Sequence, residues 1–228
     1  MVYVIATSRA WYEQLPINLA KRTGKQFVLI TRRENLTVER LQEIGPRYIF
    51  ITHWSYIIPA SIYDAFESVI FHMTDLPFGR GGSPLQNLIA RRIYDTKISA
   101  LRCDAGVDAG PIYMKEPLSL YGTAEEISQR AAKIIENMIV SIVENEPTPV
   151  QQKGDIVSFE RRKPEDGNIA GLSDLEQVFD YIRMLDAEGY PRAFLETDHF
   201  RFEFQRASLK SGKIISDVII TKKKGKDE

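Results

Sequence analysis

Short β-branched and aromatic runs alternate with helix-length segments from the start of the chain to residue 71, and that alternation permits few architectures. Val2-Tyr3-Val4-Ile5-Ala6 is apolar at consecutive positions, the pattern of a strand covered on both faces. A segment from Ala10 to Arg22 carries leucines at Leu15 and Leu19 and stops at Gly24. The apolar run Gln26 to Thr31 then completes a strand–helix–strand unit. The pattern repeats with a helix over Thr37 to Ile44, a Gly45-Pro46 stop, a strand over Arg47 to Thr52 and another over Ser68 to Phe71. Such a sequence predicts an open, mainly parallel α/β sheet that binds ligands beyond the carboxyl ends of its strands.

Further along, Lys97 to Cys103 and Pro111 to Glu116 read as paired strands joined by the turn Asp104 to Gly110. Thr123 and Glu126 form a capping box for a helix reaching about Glu144, with Ile127, Ala131, Ile134, Ile135, Met138 and Ile142 on one face. Asn145-Glu146-Pro147-Thr148-Pro149 interrupts both periodicities and is expected to link a first domain over 1–146 to a second over 147–228. The second domain reads as one helix (Asp174 to Leu185) and a small antiparallel sheet built from Ala193 to Glu196, Phe200 to Gln205, Ala207 to Leu209 and Lys213 to Thr221. The closing run from Lys222 to Glu228 reads as a solvated basic terminus.

Composition narrows the function classes. With 30 Lys and Arg against 31 Asp and Glu, no global field draws in a polyanion, so a nucleic-acid partner is not expected. The single cysteine, Cys103, forms no internal disulfide and starts no zinc motif, which predicts a reducing cytoplasm, no metal and a packing role for the thiol. Met1 to Ala6 is too short for a secretory core, and no stretch reaches the roughly 18 apolar residues that span a bilayer.

Only three histidines are available for acid–base chemistry. His199 lies among strand-like pieces of the second domain with no acidic constellation beyond Asp198. His53 follows the strand ending at Thr52, and His72 ends the strand over Ser68 to Phe71, so both fall where a parallel sheet meets its ligand. After His72 comes a loop rich in glycine and proline, Met73 to Leu85, which permits close backbone approach to a ligand. An imidazole titrating near neutrality needs an orienting carboxylate, and Asp104 and Asp108 both lie in a turn that can reach a neighbouring strand end. From spacing alone, that turn is equally a good hairpin loop.

Two blocks carry a resemblance. His72-Met73-Thr74-Asp75-Leu76-Pro77, followed by Arg80-Gly81-Gly82-Ser83-Pro84-Leu85-Gln86, resembles the His-x-Ser-Leu-Leu-Pro…Arg-Gly-x-x-Pro-Ile-Gln signature of formyltransferases that use 10-formyltetrahydrofolate. Thr96 to Ile112 is similar to the family's Thr-x-x-Thr-x-x-x-Met-Asp-x-Gly-x-Asp-Thr-Gly-x-Ile block, and Arg162-Lys163-Pro164-Glu165-Asp166 to its Arg-x-Pro-Glu-Asp element. The resemblance implies a Rossmann-like formyltransferase fold with a small, mostly-β C-terminal domain. It also implies transfer of a formyl group to an amine by an Asn-His-Asp set, with His72 and Asp108 as its catalytic members. Leu76, Pro77, Arg80, Gly81, Asp104 and Val107 become the folate-binding positions.

One departure stands out. The family's asparagine lies two residues before the histidine, where this chain has Ile70, and loss of one oxyanion donor typically costs about 2.7–4 kcal/mol. Thr74, His53 or a backbone N–H of the glycine loop is then the expected replacement donor, and Asp75 is an additional carboxylate where the family usually has leucine. The near-neutral charge and the short second domain point to a small amine acceptor, an amino sugar linked to a nucleotide, with Tyr12, Trp11 or Trp54 as stacking surfaces. A homodimer is a further expectation, with no sequence feature that specifies it. The rival readings are a methionyl-tRNA formyltransferase-like enzyme and a non-catalytic binder of folate or sugar.

Overall fold

The computed structural model describes residues 1–9 and 12–223. Trp11 and the tail from residue 224 therefore lie outside the described residues. The chain forms two units that interleave in sequence. Met1–Gly81, Thr96–Leu118 and Gln129–Ser158 make the first; Gly82–Asp95, Ser119–Ser128 and the chain from Phe159 onward make the second.

The first unit is built on a six-stranded sheet. Its strands β1 (Val2–Thr7), β2 (Gln26–Ile30), β3 (Ile49–Thr52), β4 (Ser68–His72), β6 (Asp95–Arg102) and β7 (Ile112–Ser119) lie in the order β2-β1-β3-β4-β6-β7. The pairs β1–β2, β1–β3 and β3–β4 are parallel, while β4–β6 is antiparallel, with His72 opposite Ser99. The expected mainly parallel α/β sheet is the one found. An apolar run fits either strand direction, so periodicity does not reveal the reversal at β6.

The helices start and stop where the local chemistry dictates. Helix α1 (Leu15–Thr23) begins with a proline in its first turn and ends at Gly24, whose φ of 68° allows its N–H to reach the Ala20 carbonyl. Helix α2 (Val38–Ile44) is capped by the Thr37 hydroxyl, which accepts the Arg40 N–H, and ends at Gly45. Thr123 and Glu126 form the expected reciprocal capping box at the start of α5 (Ala124–Asn145), Thr123 N to Glu126 Oε2 being 2.8 Å and Glu126 N to Thr123 Oγ1 3.2 Å. Glu136 of α5 takes Arg22 of α1 at 2.7 Å and Lys133 at 3.0 Å.

Alternation along the strands separates two buried faces. One is aromatic, with Tyr3 stacked on Phe27 and Phe50 beside Phe71. The other is a cluster that includes Val4, Ala6, Ile49, Ile51, Ile62 and Cys103, with Ile70 of β4 packed against it. After α5, Val150 and Ile112 exchange two backbone hydrogen bonds of 2.8 Å, which lay Val150 beside the start of β7.

In the second unit, β9 (Ala193–Glu196), β10 (Phe200–Lys210) and β11 (Lys213–Lys222) form an antiparallel sheet in the order β11-β10-β9. The two pieces expected over 200–209 are one strand, interrupted by an irregularity between Gln205 and Ser208 where Arg206 has a φ of 51°. Helix α6 (Leu175–Arg183) starts at Asp174, whose carboxylate accepts the Glu176 N–H. Among the described residues the chain also forms α3 (Ala60–Tyr63), α4 (Pro84–Ala90), β5 (Phe78–Gly81), β8 (Val157–Phe159) and two short 3₁₀ helices, Arg33–Asn35 and Pro164–Gly167. β5, β8 and α3, of three or four residues each, are too short for a period to register.

Candidate active site

The candidate site grows from the carboxyl end of β4. His72 is 7% exposed, and its Nε2 lies 2.7 Å from the Gly79 carbonyl oxygen. A carbonyl only accepts, so Nε2 carries the proton and this bond fixes the ring. The other nitrogen, Nδ1, faces Asp108 Oδ2 at 3.5 Å. Any second proton on the imidazole therefore sits against a carboxylate.

The loop leaving β4 is held from below. Ser99 of β6 is fully buried and donates to the Thr74 carbonyl at 2.7 Å, while its oxygen accepts the Leu76 N–H at 3.3 Å. Leu76 is buried, and the Leu76–Pro77 peptide is cis. The chain then turns into β5, so that Gly79 returns to His72 and the Gly81 N–H donates to Asp108 Oδ2 at 2.9 Å.

Asp108 arrives from the turn between β6 and β7. Asp104 is exposed and accepts the Gly106 N–H at 2.9 Å, which tightens the turn rather than reaching His72. Asp108 has a φ of 49°, a left-handed conformation that aspartate tolerates better than most residues. Gly110 passes so close to the Arg102 carbonyl that a Cβ would collide with it.

The remaining sequence candidates separate. Thr74 is fully buried, and its hydroxyl donates at 3.3 Å to the same Gly79 carbonyl that holds His72. His53 follows β3 with a φ of 45°, and its Nδ1 lies 2.9 Å from the Tyr12 hydroxyl. Burial, with the Arg9 charge adding to it, pushes the His53 imidazole down to about 4, so the ring is neutral at pH 7.

Asp75 pairs with Lys115 at 2.5 Å and Lys97 at 3.0 Å. Burial works to raise its pKa, but the hydrogen bonds from the two lysines outweigh it and hold the carboxyl below its ordinary range. Val107 is 73% exposed beside Asp108. Of the proposed stacking rings, Tyr12 is buried, and Trp54 packs on the apolar cluster and makes a T-shaped contact with Tyr56.

Arg80 contacts Gln152, a residue that sequence reading missed. Its guanidinium donates to Gln152 Oε1 at 2.8 and 3.2 Å, and Gln152 Nε2 donates to the Asp108 and Gly110 carbonyls, each at 2.8 Å. Gln152 lies in a polar stretch with no motif around it, so only the fold reveals its position.

Cys103 is buried, and burial together with the Asp104 and Asp108 charges pushes its thiol up to about 12. The folded protein is expected to stay unmodified by an aromatic disulfide reagent at pH 8 and to react on addition of denaturant. Rapid labelling of the native state would contradict this. Among the described residues, no group of three or more His, Cys, Asp or Glu could hold a metal ion, and no helix is long and apolar enough to cross a membrane.

Comparison with known proteins places this geometry in context. A sequence profile described as "Methionyl-tRNA formyltransferase, C-terminal domain" matches residues 164–221. The curated methionyl-tRNA formyltransferase of Rickettsia felis is 26% identical over 206 residues, which is 83% of this chain and 66% of that protein. The chain thus spans less than two thirds of the length of that relative, and 45% of the Rickettsia typhi one.

The structure of HypX from Aquifex aeolicus in complex with tetrahydrofolic acid shares the fold at 15% identity and a TM-score of 0.73, over 90% of this chain and 37% of that one. The solved methionyl-tRNA formyltransferase from Clostridium thermocellum is 51% identical with a TM-score of 0.95, over 98% of this chain and 100% of that one. Identity at half of all positions over an entire homologous structure goes well beyond a shared architecture, and the chain belongs to the formyltransferase family.

Proposed function

We propose that this chain transfers a formyl group from 10-formyltetrahydrofolate to the amino group of methionyl-tRNA. The observation that carries the reading is the pair of buried His72 and half-buried Asp108, 3.5 Å apart at the carboxyl end of β4. The attacking nitrogen must lose a proton as it bonds to the formyl carbon, and the formyl oxygen gains negative charge. With Nε2–H tied to Gly79, Nδ1 is the nitrogen left to take that proton, and Asp108 neutralises the imidazolium; collapse of the oxyanion then breaks the bond from the formyl carbon to the folate nitrogen, which leaves with the proton as tetrahydrofolate. The family resemblance runs the folate along Leu76, Pro77, Arg80, Gly81, Asp104 and Val107; of these Val107 offers exposed apolar surface, while Leu76 and Pro77 are buried and shape the loop.

The names of the relatives support methionyl-tRNA more strongly than the amino sugar expected from charge and length. The single cysteine supports a reducing, cytoplasmic setting. Ile70 occupies the family's asparagine position on the same face of β4 as His72 and is packed in the apolar cluster, so the oxyanion donor must come from elsewhere.

The deciding experiment mixes the protein with 10-formyltetrahydrofolate and either methionyl-tRNA or a panel of nucleotide-linked amino sugars. Tetrahydrofolate release with formation of formylmethionyl-tRNA is the expected result. Transfer confined to an amino sugar would move the acceptor to that class. Binding of folate without release for any acceptor would leave a non-catalytic module.

A further inference from the structure

Gln152 uses every hydrogen-bonding direction of its amide that the surroundings offer. Its two N–H groups go to the carbonyls of Asp108 and Gly110, and its oxygen takes two N–H groups of Arg80. This pattern selects the residue type. Arginine or lysine would supply donors but no acceptor and would face the Arg80 charge, whereas glutamate would suit Arg80 but set its oxygens against two carbonyl oxygens. Only an amide meets both sides.

The two carbonyls flank the tight part of the turn that carries the acid. Asp108 stands at φ 49°, and Gly110 is pressed against the Arg102 carbonyl, so rotation of either peptide redirects the Asp108 side chain. Its carboxylate is in turn fixed by the N–H of Gly81, the residue after Arg80. Gln152 therefore binds both strands of chain that meet at Asp108: the turn through its nitrogen, and β5 through Arg80.

We propose that Gln152 is a positioning residue for the His72–Asp108 pair, acting through its amide on the Asp108 backbone and on Arg80. The proposal rests on the formyl-transfer reading for its consequence in catalysis, but not for its geometry. A misplacement of Asp108 by an ångström would lower turnover by roughly 10- to 100-fold.

The test compares Gln152→Glu and Gln152→Ala with the native protein in two measurements. Steady-state kinetics should show kcat lowered at least tenfold for Gln152→Glu, with the KM for 10-formyltetrahydrofolate within about twofold of native. Amide hydrogen exchange on the ligand-free protein should show loss of protection at Gly81, whose N–H depends on Asp108, with the remaining strands of the sheet unchanged. Native kcat together with native Gly81 protection would overturn the proposal. So would a general loss of protection across the sheet with a lower melting temperature, since that marks a merely structural residue. If the native protein transferred formyl to no acceptor, the functional reading would fail, while the Gly81 measurement would still decide whether Gln152 holds Asp108.

Discussion

Replacing His72 by alanine is expected to lower kcat for formyl transfer by roughly 10²- to 10⁴-fold, the usual contribution of a positioned general base. Folate binding should be largely retained, because the ring's own hydrogen bond is to Gly79 inside the protein and not to the exposed rim around Val107. The fold should survive, since the Thr74 hydroxyl still serves the Gly79 carbonyl in the variant.

Asp108→Asn is the companion test. It keeps an oxygen for the Gly81 N–H while removing the charge that faces Nδ1, so any loss reflects electrostatics rather than a collapsed loop. Because the two groups act as a unit, the double variant is expected to be scarcely slower than the worse single variant. Tetrahydrofolate release, followed at saturating substrate, reports each case. Near-native rates for either single variant would remove the assignment, and multiplicative losses in the double variant would show that the pair does not work together.

The second large effect concerns stability. Arg183 and Asp180 are both 4% exposed, and their side chains meet at 2.7 Å. Tyr94 donates to the other Asp180 oxygen at 3.0 Å, and Arg183 donates to the Leu120 and Gly122 carbonyls at 2.6 and 2.8 Å. The second unit is assembled from three separate stretches of sequence, and this network holds one residue or more from each: Tyr94, Leu120 with Gly122, and the Asp180–Arg183 pair.

Arg183→Ala leaves a buried carboxylate without its counter-ion and two carbonyls without donors, so a loss of roughly 3–5 kcal/mol is expected. At about 2–4 °C per kcal/mol for a chain of this length, the melting temperature should fall by about 6 °C or more. Adding Asp180→Leu should recover part of the loss, because the stranded charge is gone while the two carbonyls remain unsatisfied. A melting temperature within about 2 °C of native for Arg183→Ala would show that solvent or another group takes over the network.

How far the sequence could be read follows from the range of each interaction. The strands β1, β3 and β4 announce themselves because a strand buried on both faces is apolar at consecutive positions. The capping box of Thr123 and Glu126 and the Gly24 and Gly45 stops are equally legible, since each involves atoms within a few residues. His72 and Asp108 were found through two motif blocks; spacing alone left Asp104 and Asp108 equivalent. The structure separates them, because Asp104 turns back to its own loop and Asp108 meets His72. Thr74 and His53 are donors by type; the structure commits the Thr74 hydroxyl to the Gly79 carbonyl and the Nδ1 of His53 to the Tyr12 hydroxyl.

What the sequence determined by itself was the alternating α/β architecture and the stops and caps of its helices, because hydrophobic period and capping are local; His72 and Asp108 entered as a candidate pair only through the two motif blocks that resemble the family. What the tertiary structure alone decided was the reversal of β6 against β4, the carbonyl that orients His72, and the amide that grips the Asp108 turn. Gly79 and Gln152 carry no local mark of these roles. Their parts arise where segments distant along the chain are brought within hydrogen-bond reach, and a backbone carbonyl or a half-buried glutamine gains its meaning only from the partner it meets there.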